Sequence, residues 1–296
     1  EEVASIPIVQ LSDVKTLKQR LHQQHGLPPR FRQRLLHEGN TLNDAVKLDS
    51  VMGLQVVASM ASDTSESERT ELQVLTLALS EASRGQPQEL WEAAGQGLAA
   101  EVEALLQLPL DPDLLHSATT PLMQASMNGH VEVARLLLEA GARTDVHGQC
   151  CWGDTALMAA AGRGHSQVVE LLLEAGAQKD FSDDENCTAL IFAAFYGRVE
   201  AVRLLLEAGA QKGLCDQDGC TALMHAAKQG HRLVVKLLLE AGAELEACDT
   251  AGNTALMAAA SEGHAPVVEL LLAAGARRDA RTTADSRSTE LESAPR

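Results

Sequence analysis

The chain has 296 residues, 45% of them hydrophobic but only 2% aromatic, and its net charge is −17. That length suits two domains with a real core. No run of 18 apolar residues occurs, which excludes a membrane-spanning helix, and the acidic balance repels nucleic acid and anionic lipid.

The charge is unevenly placed. Residues 1–60 hold 7 basic and 6 acidic side chains, so the whole deficit lies beyond them. Six cations stand between Val14 and His37 with no acid among them. That interval is either a solvated basic face or a site for an acidic partner. The chain opens Glu1-Glu2 without Met, from which we expect the natural start to lie upstream and leave a cleaved leader open.

In chain order, residues 3–11 are expected to form a strand, with Pro7 marking it as an edge. Ser12-Asp13 caps a helix with the stripe Val14, Leu17 and Leu21; Gly26 ends it and Pro28-Pro29 forbids its continuation. Arg34–His37 is a short strand, Glu38-Gly39-Asn40 a turn, and Leu54–Val57 a last strand. The run Gly26-Leu27-Pro28-Pro29, then Arg34-Leu35-Leu36, Gly39, Leu42 and Asp44, resembles ubiquitin, with Ser12–Lys15 at the start of its central helix. The resemblance implies a small α+β β-grasp domain over 1–60. It puts Leu36 and Val57 in the exposed recognition patch of ubiquitin-like domains. Three departures stand out. The first strand and its loop are absent, His37 replaces an aromatic, and no Gly-Gly tail follows, so the domain is not one that is conjugated. A β-grasp without its first strand exposes an edge, which either a missing piece of chain or a partner must cover.

Residues 61–87 are expected to be a linker and docking helix. The polar stretch 61–70 is followed by Glu71–Ser83, whose Leu72, Leu75 and Leu79 have helical spacing, although the alternation of Val74 and Leu77 leaves a strand open.

From there the chain is periodic. Leu-Leu-Leu-Glu-Ala-Gly-Ala stands at Leu136–Ala142, Leu171–Ala177, Leu204–Ala210 and Leu237–Ala243, with a near copy at Leu270–Ala276. The starts are 35, 33, 33 and 33 residues apart, a period that means a stacked array, because one unit cannot bury its apolar face alone. Thr120, Thr155, Thr188, Thr221 and Thr254 open the units as helix caps, and a Gly follows each by nine residues to break the first helix. A second helix then ends at a left-handed Gly such as Gly176. Burial of all three leucines is expected, at roughly 1.5–3 kcal/mol each.

Thr120-Pro121-Leu122, Ala125, Gly129-His130 and Leu136-Leu137-Leu138 resemble the ankyrin repeat, and the likeness covers about 88–294. It implies an α solenoid of helix-turn-helix units. Five units are clear. A degenerate one precedes them, at Leu90–Ala94, Gly97, Val102 and Leu105-Leu106, and a truncated one begins at Ser288–Leu291. Two departures matter: Ala replaces the proline in four units, and Met123, Met158, Ile191, Met224 and Met257 replace the family's histidine. The hydrogen bond which that histidine makes is expected to be lost, and the array to be softer.

Catalysis needs convergent groups, and none converge. His130, His165, His231 and His264 sit one period apart in different units, so they cannot share a metal. Asp183-Asp184-Glu185-Asn186 lacks the spacing of a calcium loop, and Cys150-Cys151 has no base partner. The pairs Cys187/Cys220 and Cys215/Cys248 are one period apart, roughly 8–10 Å by helix packing, beyond the ~7 Å a disulfide allows. A reducing compartment follows: intracellular, the cytoplasm first, an organelle left open. No cofactor, metal, small-molecule substrate or enzyme activity is expected.

Binding is better supported. The resemblance implies a concave face made of the hairpin tips and the residues before each inter-helix Gly. Trp152, Phe181, Phe195 and Tyr196, among only seven aromatics, fall on tips or inner face of adjacent units, with Arg163, Lys228 and Gln229 beside them. Rigid aromatics at exposed sites are binding anchors, unless they pack among themselves. The 35-residue interval places two extra residues in the 143–154 turn and lengthens one finger. The leading reading is a non-enzymatic adaptor or scaffold for a protein partner. The alternatives are a ubiquitin-system adaptor delivering a client to a ligase or proteasome, and an accessory subunit of a large assembly.

Overall fold

The computed structural model describes residues 14–25, 33–37, 40–41, 55–56, 71–76, 86–108, 110–148 and 154–278. The expected strand over 3–11, the cap at Ser12-Asp13, the turn 149–153 and the unit at Ser288 lie outside them.

The N-terminal part begins with α1 (Val14–His25), which buries Val14 and Leu17. Four strands follow: β1 (Gln33–His37), β2 (Asn40–Thr41), β3 (Gln55–Val56) and β4 (Glu71–Thr76). Their order in the sheet is β2-β1-β4-β3. β4 lies antiparallel to β1, with Leu36 opposite Gln73, and parallel to β3. Of the docking helix expected over Glu71–Ser83, Glu71–Thr76 is instead a central strand, the alternative that the alternation leaves open, and 77–83 lie outside the described residues. The strand's polar–apolar alternation (Glu-Leu-Gln-Val) has the period of a pleated strand, and the ladder to β1 satisfies its backbone. Among the described residues α1 touches the array, where Gln19 Nε2 donates to Glu139 Oε1 at 2.9 Å.

The remaining described residues form a stack of six helix pairs. The inner helices are α2 (Gln86–Gln96), α4 (Pro121–Asn128), α6 (Ala156–Arg163), α8 (Ala189–Phe195), α10 (Ala222–Lys228) and α12 (Ala255–Ser261). Their partners are α3 (Ala99–Leu106), α5 (Val131–Glu139), α7 (Ser166–Glu174), α9 (Val199–Glu207), α11 (Arg232–Glu240) and α13 (Ala265–Ala273). Each inner helix packs on the inner helices before and after it, and the outer row does the same. Fully buried pairs such as Ala160-Ala161, Ala193-Ala194 and Ala226-Ala227 permit that close approach. The unit before Thr120 is a full pair, with Leu90, Ala94, Val102 and Leu106 buried.

Each opening threonine caps its inner helix. Thr120 Oγ1 accepts from Met123 N at 3.2 Å, and the other four do the same at 3.4 Å. The hydrogen bond expected to vanish with the family's histidine is partly replaced in the first two units. There Met123 Sδ and Met158 Sδ accept the backbone N–H of Thr120 and Thr155 at 3.4 Å, as weak sulfur acceptors. The leucine triplets depart from expectation. Leu172, Leu205, Leu238 and Leu271, the middle members, are wholly buried, while their neighbours in those four units are only partly so. Three consecutive helical residues span about 200° of arc, so only one can point straight at the core.

The units are stitched by side chain to backbone bonds. His130, His165, His231 and His264 each place Nε2 2.9–3.1 Å from a carbonyl of the preceding unit, and Arg198 Nε donates to Gly162 O at 3.1 Å. The His165 ring lies over left-handed Gly129 (φ 75°), where a Cβ would stand 2.5 Å from Nδ1. That glycine serves both the turn and the close approach. On the outer edge Asp113, Asp145, Asp180 and Glu246 each accept the backbone N–H of a residue one unit on, at 2.8–3.0 Å.

Candidate functional site

The hairpin tips are built by one device. Asp183 Oδ1 accepts from Glu185 N and Cys187 N at 2.9 and 2.7 Å. Asp216 Oδ1 accepts from Asp218 N and Cys220 N, and Asp249 Oδ1 from Ala251 N and Asn253 N. Adjacent tips are joined by Gln217 N to Glu185 O (2.9 Å) and Thr250 N to Asp218 O (2.8 Å). The first finger closes at Gly148 N to Asp154 O. It therefore spans two more residues than the closure of Asp183 on Cys187.

The second carboxylate oxygen of each tip has a different fate. Asp183 Oδ2 is buried with no hydrogen-bond partner among the described residues, and so is Asp154 Oδ1. Asp216 Oδ2 meets His225 Nε2 at 2.7 Å, and Asp249 Oδ2 accepts from Asn253 Nδ2 at 3.0 Å. Burial raises the pKa of Asp183, against the pull of the two backbone N–H groups. Burial, helped by the nearby Asp183 charge, likewise raises Asp154. Burial also pushes Asp249 upward, but the hydrogen bonds from Asn253, Ala251 and Gly252 outweigh it and the net shift is downward. Among the acids, burial and surrounding carboxylates push the Cys187 thiol up to about 12 and Cys220 to about 11. With no ion bound, both therefore favour the protonated thiol. Cys187, Cys215, Cys220 and Cys248 are unpaired thiols.

On the inner face Phe195 and Tyr196 form an edge-to-face pair with centroids 4.9 Å apart, and Phe195 meets the His225 ring at 5.5 Å. Tyr196 is 50% exposed, whereas Phe195 is half-buried. The pair stands between two clefts. One, of about 360 Å³, is lined by Met127, Asp154, Arg163, Phe192, Tyr196 and Arg198, among others. The second, of about 470 Å³, is lined by Cys220, His225, Lys228, Asp249 and Glu262, among others. Arg163 and Lys228 thus sit one in each cleft, and Gln229 is exposed at the end of α10.

Phe181 lies elsewhere. It packs on His147 at 4.6 Å and lines a cleft of about 540 Å³ with Arg143 and Gln178, sharing no residue with the other two. Trp152 and Val57 fall outside the described residues. Leu36 is on β1, paired in register with Thr41 and Gln73. Sequence reasoning missed the Asp216–His225 pair. It also missed Trp91, whose Nε1 donates to Thr119 Oγ1 at 2.8 Å while its ring lies 5.1 Å from His116.

Stacked helix pairs with projecting hairpins and an open inner face define a repeat protein built to present surface. A family model for ankyrin repeats in three copies matches residues 140–214 and 208–282, and the single-repeat model matches 119–149. Together these cover more than half of the chain, and it belongs to the ankyrin-repeat family, whose members are generally protein-interaction modules. No curated protein matches the chain. Among the described residues no helix is long and apolar enough to cross a membrane.

Proposed function

We propose that the array is a non-enzymatic adaptor that holds a basic, extended protein segment along its inner face. The observation that carries this reading is Tyr196, half exposed on a rigid helix end between two clefts in a chain with few aromatics. Such a ring offers large contact area at low entropic cost. The net charge of −17 gives the partner its sign, a basic one, while the Tyr196 cleft itself sets Asp154 beside Arg163 and Arg198 and so also takes a carboxylate or carbonyl of the segment. The test is affinity capture by the full chain, compared with Tyr196→Ala. Proteins held by the wild type should be lost, while stability changes by less than about 0.5 kcal/mol, as for an exposed position. An unchanged set of captured proteins would contradict the site, and so would a large loss of stability.

A second reading, a ubiquitin-system adaptor, draws support from the order of α1 and the sheet, with β4 between antiparallel β1 and parallel β3. It requires Leu36 and Val57 to bind ubiquitin-receptor domains. Leu36→Ala should then abolish that binding without touching capture by the array.

A further inference from the structure

We propose that Asp216, Cys220 and His225 form a binding site for a divalent transition metal, with Zn²⁺ the best-fitting ion. Among the described residues they are the one group whose ligand atoms all lie within 4.8 Å of one another. A carboxylate, a thiolate and an imidazole are donors that zinc accepts together. With bonds of about 2.0–2.3 Å, a tetrahedral ion needs donors roughly 3.5 Å apart, so closure requires side-chain movement of about an ångström.

The donors are held by second contacts, as metal ligands need to be. Asp216 Oδ1 is fixed by Asp218 N at 3.0 Å and Cys220 N at 2.8 Å, which leaves Oδ2 to face His225. The His225 ring is braced edge-on by Phe195. The Asp216 and His225 side chains are only 9% and 15% exposed, so little water competes with them. Cys220 and His225 also line the 470 Å³ cleft, which supplies an entry path and room for water at a fourth position. The neighbouring tips repeat the frame without the set: Asp183, Cys187 and Phe192 on one side, Asp249, Asn253 and Ala258 on the other. A repeat-wide structural need would have put the same residues in all three. On binding, the Cys220 thiol proton leaves to solvent and the imidazole keeps its one N–H on the ring nitrogen that does not hold the ion, with no redox change.

The experiment is a titration of the reduced full-length chain with Co²⁺, followed by displacement with Zn²⁺. One Co²⁺ should bind with a thiolate-to-cobalt charge-transfer band and the visible bands of a tetrahedral ion, and Zn²⁺ should remove them. Cys220→Ser, checked for folding by circular dichroism, should lose the charge-transfer band, and the pair Cys215→Ser/Cys248→Ser should keep it. His225→Gln should weaken Zn²⁺ binding by more than about tenfold, since loss of a ligand costs at least as much as loss of a supporting contact. A wild-type chain without a thiolate band would overturn the proposal, as would a band that survives Cys220→Ser.

Discussion

The tips before Thr188 and Thr221 share one backbone and differ in what faces it. In both, an aspartate closes the turn through Oδ1 and a cysteine precedes the threonine. Nine residues after the aspartate stands Phe192 in one and His225 in the other. The first tip is left with a buried carboxylate oxygen that has no partner among the described residues, and the second has an Asp–His bond of 2.7 Å. Period and caps set the frame; the residue at one variable position of the inner helix sets the chemistry. The same split applies between Phe195–Tyr196 and its counterparts Gly162-Arg163 and Lys228-Gln229, which keep the phase and change the surface.

The frame itself should break most severely. Gly197→Ala would place a Cβ 2.6 Å from His231 Nδ1 at φ 68°, whereas at Gly263, φ 77°, nothing lies within 4 Å. We expect Gly197→Ala to cost about 3 kcal/mol or more, from left-handed strain plus overpacking, and Gly263→Ala about 1–2 kcal/mol from strain alone. Urea denaturation of the two variants measures the difference. Equal losses would show that the stacked histidine rings do not govern the glycine.

Converting the second tip into the first is the next effect. His225→Phe leaves Asp216 Oδ2 without its donor in a nearly buried position. It should cost about 1–3 kcal/mol, the range for an orphaned polar group, again by urea midpoint. The smallest effect is a gain. Gly213 stands where Asp180 and Glu246 accept an N–H from the next unit, and a Cβ there meets nothing within 4 Å. Gly213→Asp should supply the missing bond to Glu244 N and stabilise the array by about 0.5–1.5 kcal/mol.

Much of this was readable from the sequence. The threonine caps, the left-handed glycines and the helix pairs follow from residues in fixed phase, and the extra length of the 143–154 finger from one 35-residue interval. What was hidden depended on direction or distance. Periodicity marks the triplet at Leu204 but does not say that Leu205 takes the core and its neighbours the margins. Glu71–Thr76 has helical leucine spacing, yet its strand is decided by β1, more than thirty residues earlier, which local pattern cannot see. Asp216 and His225 sit nine residues apart in a single unit. Aligning the units on their threonines, with Gln124, Ala159, Phe192, His225 and Ala258 in one column, would have exposed the exception. Repeat phase puts Phe181 on the tips or inner face with Phe195 and Tyr196, but it lines another cleft.

The claim that one variable residue sets the chemistry of a shared frame is tested most directly by an NMR pH titration of the Asp183 carboxyl, in the wild type and in Phe192→His. Burial holds the wild-type value above the ordinary aspartate value of 3.8. The folded chain then binds that proton more tightly than the unfolded chain does. The resulting stability is present in acid and lost as pH rises through the raised value. An imidazole at position 192 would give Oδ2 the donor that His225 gives Asp216, and the Asp183 value should fall. A value that stays raised in Phe192→His, with the fold intact, would contradict the account.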